Sequence, residues 1–223
     1  MCVIRLWNKK RRVEKMGACF GGLLLSSAVF VAGTSGTASA APVPLRGVIE
    51  GFYGTPWQQS DRLDILSFCR AEGYNAYLYA PKDDPYHREK WREPYPAEKL
   101  SELGALVKAA KAQDVRFIFA VSPGLDVSLH GYKGFVDRQK MIAKLETLYA
   151  LGVRDFAIFF DDIKDKDGAG QAVFLNDIAR ELKKRHDDIG SFLTVPTEYF
   201  YADMQVDGAR KPYTDAFART LSP

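Results

Sequence analysis

The sequence predicts an α/β fold, a (β/α)8 barrel of which the chain carries about five β/α units. Three observations lead there. From Leu45 onward, five apolar runs rich in aromatic and β-branched residues alternate with amphipathic segments of helical length. Runs such as "FIFAV" and "FAIFF" are apolar at every position, as strands covered on both faces are. The chemically unusual residues also fall just after the ends of successive runs: Glu50 and Gly51, Lys82, "SPG" at 122–124, Asp161 with Asp162, and "TEY" at 197–199. A barrel collects all such ends into one mouth, whereas an open doubly wound sheet collects only those at its switch point.

The elements follow in order. "LRGVIEGFYG" is the first strand, ended by glycines, and "GFYGTPW" lacks the spacing of a phosphate-binding loop. "SDRLDILSFCRAEG" is helical, with Ser60 or Asp61 expected as N-cap, Leu63, Ile65, Leu66 and Phe68 on one side, and Gly73 closing it. "NAYLYAP" is the second strand. The polar stretch "KDDPYHREKWREPYP" leads to the helix "AEKLSELGALVKAAKAQD", then to the third strand "VRFIFAVSP". The next helix is spaced through Met141, Leu145 and Leu148. It precedes the fourth strand, "DFAIFFDD", the helix "QAVFLNDIARELKKRHD", the fifth strand "GSFLTVPTEY", and a last helix in "YTDAFARTLSP". Helices of this length between strands imply parallel pairing through right-handed crossovers. Five strands do not close an eight-stranded barrel, so either the sheet is open or the chain is a piece of a longer one.

Residues 1–40 have a different composition. Arg5, Lys9, Lys10, Arg11, Arg12 and Lys15 face a single Glu14, an apolar run follows, and Ala38-Ser39-Ala40 is an A-x-A site. This pattern is that of a signal peptide cut after Ala40, with residues 41–223 as the exported, secreted or periplasmic domain. The apolar run is too short and too diluted by Gly and Ser for a spanning helix, so no stable membrane insertion is expected. Without those six basic residues and one acidic residue, the precursor's +3 becomes 25 basic against 27 acidic, a net of −2. Nucleic-acid binding thereby loses its compositional support. Of three cysteines only Cys69 remains, and its helical spacing points to a small buried hydrophobe.

"FFDDIKDKDG" carries the most chemistry. Neighbouring strand residues point to opposite faces, so Asp161 and Asp162 can share a pocket only where the strand leaves its pleat. Paired carboxylates in a concave mouth have their proton affinities pushed apart, which suits glycosidic cleavage: one protonates the leaving oxygen while the other supports the nucleophile or the developing positive charge. A solvated acidic loop tip, continued by Asp165 and Asp167, would present the same letters.

"RGVIEGFYGTPW", "YLYAPKDDPYHREKWREPYP", "SPGLD", "FDDI" and "VPTEY", in that order, resemble the catalytic domain of family 84 glycoside hydrolases. These are the bacterial β-N-acetylglucosaminidases, sometimes labelled hyaluronidases, and the related O-GlcNAcases. The resemblance implies retaining, substrate-assisted hydrolysis of terminal β-linked N-acetylglucosamine on glycans or glycoproteins, through an oxazoline and without metal or cofactor. It assigns Asp161 to the acetamido N–H and Asp162 to general acid and base work. It also places Gly51 and Lys82 against sugar hydroxyls and Tyr199 on the acetamido side. Glu50 is expected beneath the mouth in a structural role, with an ordinary two-carboxylate partnership to Asp162 as its alternative. His87, His130 and His186 show no metal-ligand spacing, and Trp57 and Trp91 are expected to pack. The family pattern continues past the fifth strand with a tryptophan, asparagines and a further aspartate that this sequence does not contain. The second expectation is therefore a catalytically incomplete piece with at most weak sugar binding.

Overall fold

A computed structural model of the chain describes residues 45–164 and 166–222, together with the backbone of residues 4–6. The remainder of the expected signal peptide lies outside the described residues. The main sheet contains β1 (Ile4–Leu6), β2 (Gly47–Glu50), β3 (Ala76–Tyr79), β4 (Arg116–Val121), β5 (Asp155–Phe159) and β6 (Phe192–Val195). β2 to β6 are parallel and adjacent in chain order, while β1 pairs antiparallel with β6 on its other side. The helices are α1 (Gln59–Ala71), α2 (Ala97–Ala112), α3 (Gly131–Ala150), α4 (Gly168–Arg185), the single turn α5 (Tyr201–Met204) and α6 (Pro212–Thr220).

A strand order that never reverses has no switch point. Right-handed crossovers taken always in one direction must place every helix on the same side, and the packing agrees. Leu66 and Cys69 of α1, Leu103 and Leu106 of α2, Met141 and Leu145 of α3, Phe174 and Ile178 of α4, and Phe217 of α6 share one core with Tyr77, Phe117, Phe119, Phe156 and Ile158. The alternate strand residues Ala76, Leu78, Ile118, Ala120, Ala157, Phe159, Leu193 and Val195 form a second apolar surface on the helix-free face. Helices outside and aliphatic side chains inside make a partial (β/α)8-like arrangement. Among the described residues the sheet does not close, and β2 stands at its edge.

Three helices hand the chain back to the sheet by the same device. After α1, α2 and α3, Gly73, Asp114 and Gly152 take positive φ (69°, 57° and 104°). The next amide in each case, Tyr74, Val115 and Val153, donates to the carbonyl five residues back. This satisfies carbonyls that the helix end orphans and turns the chain sharply into a strand. At the end of the sheet away from the mouth, Arg116 pairs with Asp155, which also accepts from the Ser191 amide at 2.6 Å.

Two expectations about α1 are corrected. Its N-cap is Gln58, and Asp61 is the third helical residue, accepting from the Gln58 amide at 2.9 Å. Its buried face is Arg62, Leu66 and Cys69, while Leu63 and Phe68 are exposed. The helix is turned so that Arg62 reaches the buried Glu50 carboxylate, and two apolar side chains face outward as a result. Cys69 is fully buried, as its spacing predicted. A short hairpin, β7 (Gln205–Val206) and β8 (Ala209–Arg210), joins α5 to α6 around Asp207 and Gly208, both at positive φ.

Candidate active site

The carboxyl ends of β2 to β6 meet at one edge of the sheet, and each contributes a loop. β5 ends at Phe159, and the Phe160 amide still donates to Val195 O at 2.8 Å. Asp161 keeps the inward parity of Ala157 and Phe159. Asp162, next in line, should then point outward. It adopts φ +57° instead, in a tight turn. That left-handed residue lets two consecutive carboxylates serve one mouth, and Asp is among the few non-glycine residues that tolerate it.

The two aspartates have unlike surroundings. Asp161 is largely buried and accepts from Lys82 Nζ at 2.7 Å through Oδ2. Its Oδ1, also buried, accepts no hydrogen bond from the described residues. Leaving a buried carboxylate oxygen unsatisfied costs about 1–3 kcal/mol, which an incoming N–H would recover. Asp162 is exposed. Tyr53 Oη donates to its Oδ2 at 2.9 Å and Tyr199 Oη to its Oδ1 at 3.4 Å. The Asp162 charge is the main reason that the Tyr199 phenol is held above its ordinary range; the Tyr53 phenol is raised first by burial and then by its bond to Asp162.

Lys82 reaches Asp161 because its neighbours are otherwise engaged. Asp83 turns away to accept from the Gly54 amide at 2.9 Å. Asp84 is buried, bound by Tyr79 Oη at 2.5 Å and Tyr95 Oη at 2.9 Å. The Lys82 amide donates to Phe52 O at 3.1 Å, tying the loop after β3 to the loop after β2. Gly51 therefore stands at the mouth beside that junction, and Tyr53, two residues on, reaches Asp162. On the far side Thr197 Oγ1 donates to Phe160 O at 2.9 Å. The buried Glu198 accepts from Thr214 Oγ1 at 2.7 Å and Lys166 Nζ at 3.0 Å, and together these contacts fix the chain that presents Tyr199.

Glu50 lies beneath this arrangement and is saturated. Arg62 Nε and Nη2 donate to its two oxygens at 2.9 and 2.8 Å, the Trp57 amide donates at 3.1 Å, and Tyr77 Oη adds a fourth bond. The carboxylate is fully buried, the placement expected of a structural group beneath the mouth. His87 is buried as well, with Nδ1 on Ala120 O at 2.7 Å; burial pushes it down to about 4, so the ring is neutral at working pH. Trp91 packs in the core with its indole N–H on Asp126, and Trp57 packs edge-on to Phe52.

The structure thus brings Asp161, Asp162, Lys82 and Tyr199 together and puts Gly51 at the same rim. Sequence analysis missed Tyr53. The signal was present in "GFYG", an exposed aromatic between two glycines at a strand end, but nothing in the letters separates it from a packing tyrosine.

Comparison with known proteins gives the family of the chain. The sequence model of a family described as NAGidase, beta-N-acetylglucosaminidase, matches residues 46–223. Protein O-GlcNAcase of Rattus norvegicus is 36% identical over 205 residues, 89% of this chain and 22% of that protein. The Mus musculus Protein O-GlcNAcase is 35% identical over 195 residues, 84% of this chain and 21% of that protein. The solved structure of CpGH84B is 48% identical with a TM-score of 0.78, covering 80% of this chain and 32% of the other. The chain spans about a fifth of the length of these curated relatives.

Proposed function

The chain belongs to the beta-N-acetylglucosaminidase family, glycoside hydrolase family 84; from that premise we propose that it hydrolyses terminal β-linked N-acetylglucosamine on glycans or glycoproteins, with retention and with the sugar's own acetamido group as nucleophile. The observation that carries this is the division of labour between the two aspartates: one buried, ion-paired and with a free acceptor oxygen, the other exposed and steered by two phenols.

In the first step the acetamido oxygen bonds to the anomeric carbon while the glycosidic bond breaks. Asp162 gives its proton to the departing oxygen. Asp161 Oδ1 accepts from the acetamido N–H, which orients the carbonyl and offsets the positive charge that develops on the ring formed. Lys82 holds Asp161 in place through their 2.7 Å ion pair and has further ammonium protons to offer a sugar hydroxyl. In the second step Asp162 takes a proton from water, the water oxygen bonds to the anomeric carbon, and the acetamido oxygen leaves. Two inversions give net retention. Gly51, without a side chain, lets its backbone approach the sugar, and Tyr199 lines the acetamido side.

The experiment is hydrolysis of 4-nitrophenyl N-acetyl-β-glucosaminide by the folded chain beside Asp162→Asn and Glu50→Gln. Turnover that is lost in Asp162→Asn, and retained per folded molecule in Glu50→Gln, is the expected result. Folded protein with no turnover overturns hydrolysis by this chain and leaves sugar binding as its activity.

A further inference from the structure

Asp162 is held in place by phenols on one side, and something must also fix the backbone that carries it. Ile163, in the loop after β5, is seated on the loop that follows β4. Gly124 lies directly under Ile163: a Cβ built on Gly124 would stand 2.7 Å from Ile163 Cγ2 and 3.0 Å from its Cδ1, but 3.6 Å from its Cβ. The first separation is one that real Cβ atoms do not make, the second is tighter than ordinary packing, and the third is ordinary packing. Ile163 is the residue after Asp162, so a shift of its backbone moves the left-handed turn as well. The far end of the same loop is anchored independently. Asp167 caps α4 by accepting from the Gly170 amide at 2.8 Å, and it also bonds the His130 ring at the start of α3. With that end pinned, whatever part of a push at Ile163 its side-chain rotation does not absorb falls on the Asp162 turn rather than on the whole loop.

We propose that Gly124 is a positioning residue for the catalytic acid: the absence of a side chain at 124 is the seat into which Ile163 fits, and that fit sets where the Asp162 carboxylate stands relative to Tyr53 and Tyr199. The kinetic part of this inference rests on the function proposed above; the geometric part does not.

The test compares Gly124→Ala, Ile163→Ala and Gly124→Ala/Ile163→Ala with wild type and with Asp162→Asn. In protein labelled with 13Cζ-tyrosine, the Tyr53 and Tyr199 signals at neutral pH report their hydrogen bonds to Asp162 whether or not the chain turns over. The expected result for Gly124→Ala is movement of both signals toward their positions in Asp162→Asn. In the double variant, whose two methyl carbons meet at ordinary contact distance, they return to wild type. On the aryl glycoside, kcat of Gly124→Ala is expected to fall about a hundredfold with KM little changed, as misplacement of a reacting group by an ångström does. The double variant should regain most of that loss. Tyrosine signals of Gly124→Ala that overlay wild type, or a double variant that stays displaced, overturn the proposal. Should Gly124→Ala not fold, the double variant decides: it must fold and carry wild-type tyrosine signals. A wild type that gives the expected tyrosine shifts but no turnover would count against the proposed hydrolysis and leave the seat standing.

Discussion

Glu50 and Asp161 invite comparison. Each follows an apolar strand, each is buried, and each is ion-paired to a nearly buried cation, Arg62 at 2.8 Å in one case and Lys82 at 2.7 Å in the other. Glu50 receives four donors, from Arg62, Tyr77 and the Trp57 backbone, and has nothing left to offer. Among the described residues Asp161 receives Lys82 alone, and its buried Oδ1 accepts no hydrogen bond from them. A completed network specifies and rigidifies, whereas an incomplete one leaves an acceptor that an incoming donor, from water or ligand, can satisfy. The same pair of charges therefore builds the scaffold at one end of the mouth and, in the function proposed, the recognition site at the other.

The contrast can be broken or sharpened by experiment. Asp162→Asn should have the largest effect on rate, a loss of about 10²- to 10⁴-fold in kcat/KM for a poor leaving group. Thermal stability should barely change, because the side chain is exposed; a large drop in melting temperature would show that Asp162 also builds the fold. Glu50→Gln should do the reverse. Removing one charge of a fully buried pair costs about 3–5 kcal/mol, read as a fall in urea midpoint, while rate per folded molecule changes little. A stable Glu50→Gln that had lost activity would move Glu50 from scaffold to site.

His87 is a third buried titratable group, bonded through Nδ1 to Ala120 O with Asp84, Lys82 and Lys144 as the charges around it. Its affinity for protons is lowered in the folded protein, to about 4 from an ordinary 6.5. The unfolded chain therefore binds the proton first on acidification. Stability is full above pH 6.5 and is lost as pH falls through 4, by about 3 kcal/mol in total from this group. Urea titrations at pH 6.5, 5 and 4 on wild type and His87→Gln should show the variant lacking that share of the decline; equal declines would place the acid sensitivity elsewhere. The smallest effect is expected for Tyr53→Phe, which removes one hydrogen bond to Asp162. That costs about 1 kcal/mol or roughly a fivefold to tenfold loss of rate, and an unchanged rate would leave Tyr199 as the sufficient guide.

How much of this the letters carried depends on range. The five strands, their parallel order and the convergence of their ends follow from alternation and apolar runs, and the structure reproduces them. The departure of the chain from the strand pleat at the two aspartates was also legible, because "IKDKDG" follows directly, although a solvated acidic loop tip would present the same letters. The α1 face was not. Leu63, Ile65, Leu66 and Phe68 are the more apolar set, and only a partner on β2 tells the helix to bury Arg62. Lys82 was equally opaque, since it sits beside Asp83 and Asp84, and only the tertiary partners of those two, the Gly54 amide and two tyrosines, free it to cross to Asp161. The β7–β8 hairpin was visible in Asp207-Gly208 and was passed over.

The claim at the centre is that Asp161 keeps an oxygen free for an acetamido group that itself attacks. The most direct measurement is the rate of hydrolysis of 4-nitrophenyl glucosaminides whose N-acyl group is acetyl, fluoroacetyl, difluoroacetyl or trifluoroacetyl. Each fluorine makes the acyl oxygen a poorer nucleophile. A rate that falls steeply along the series in wild type is the predicted result. A rate indifferent to the fluorines would contradict it and show that some other group attacks the sugar.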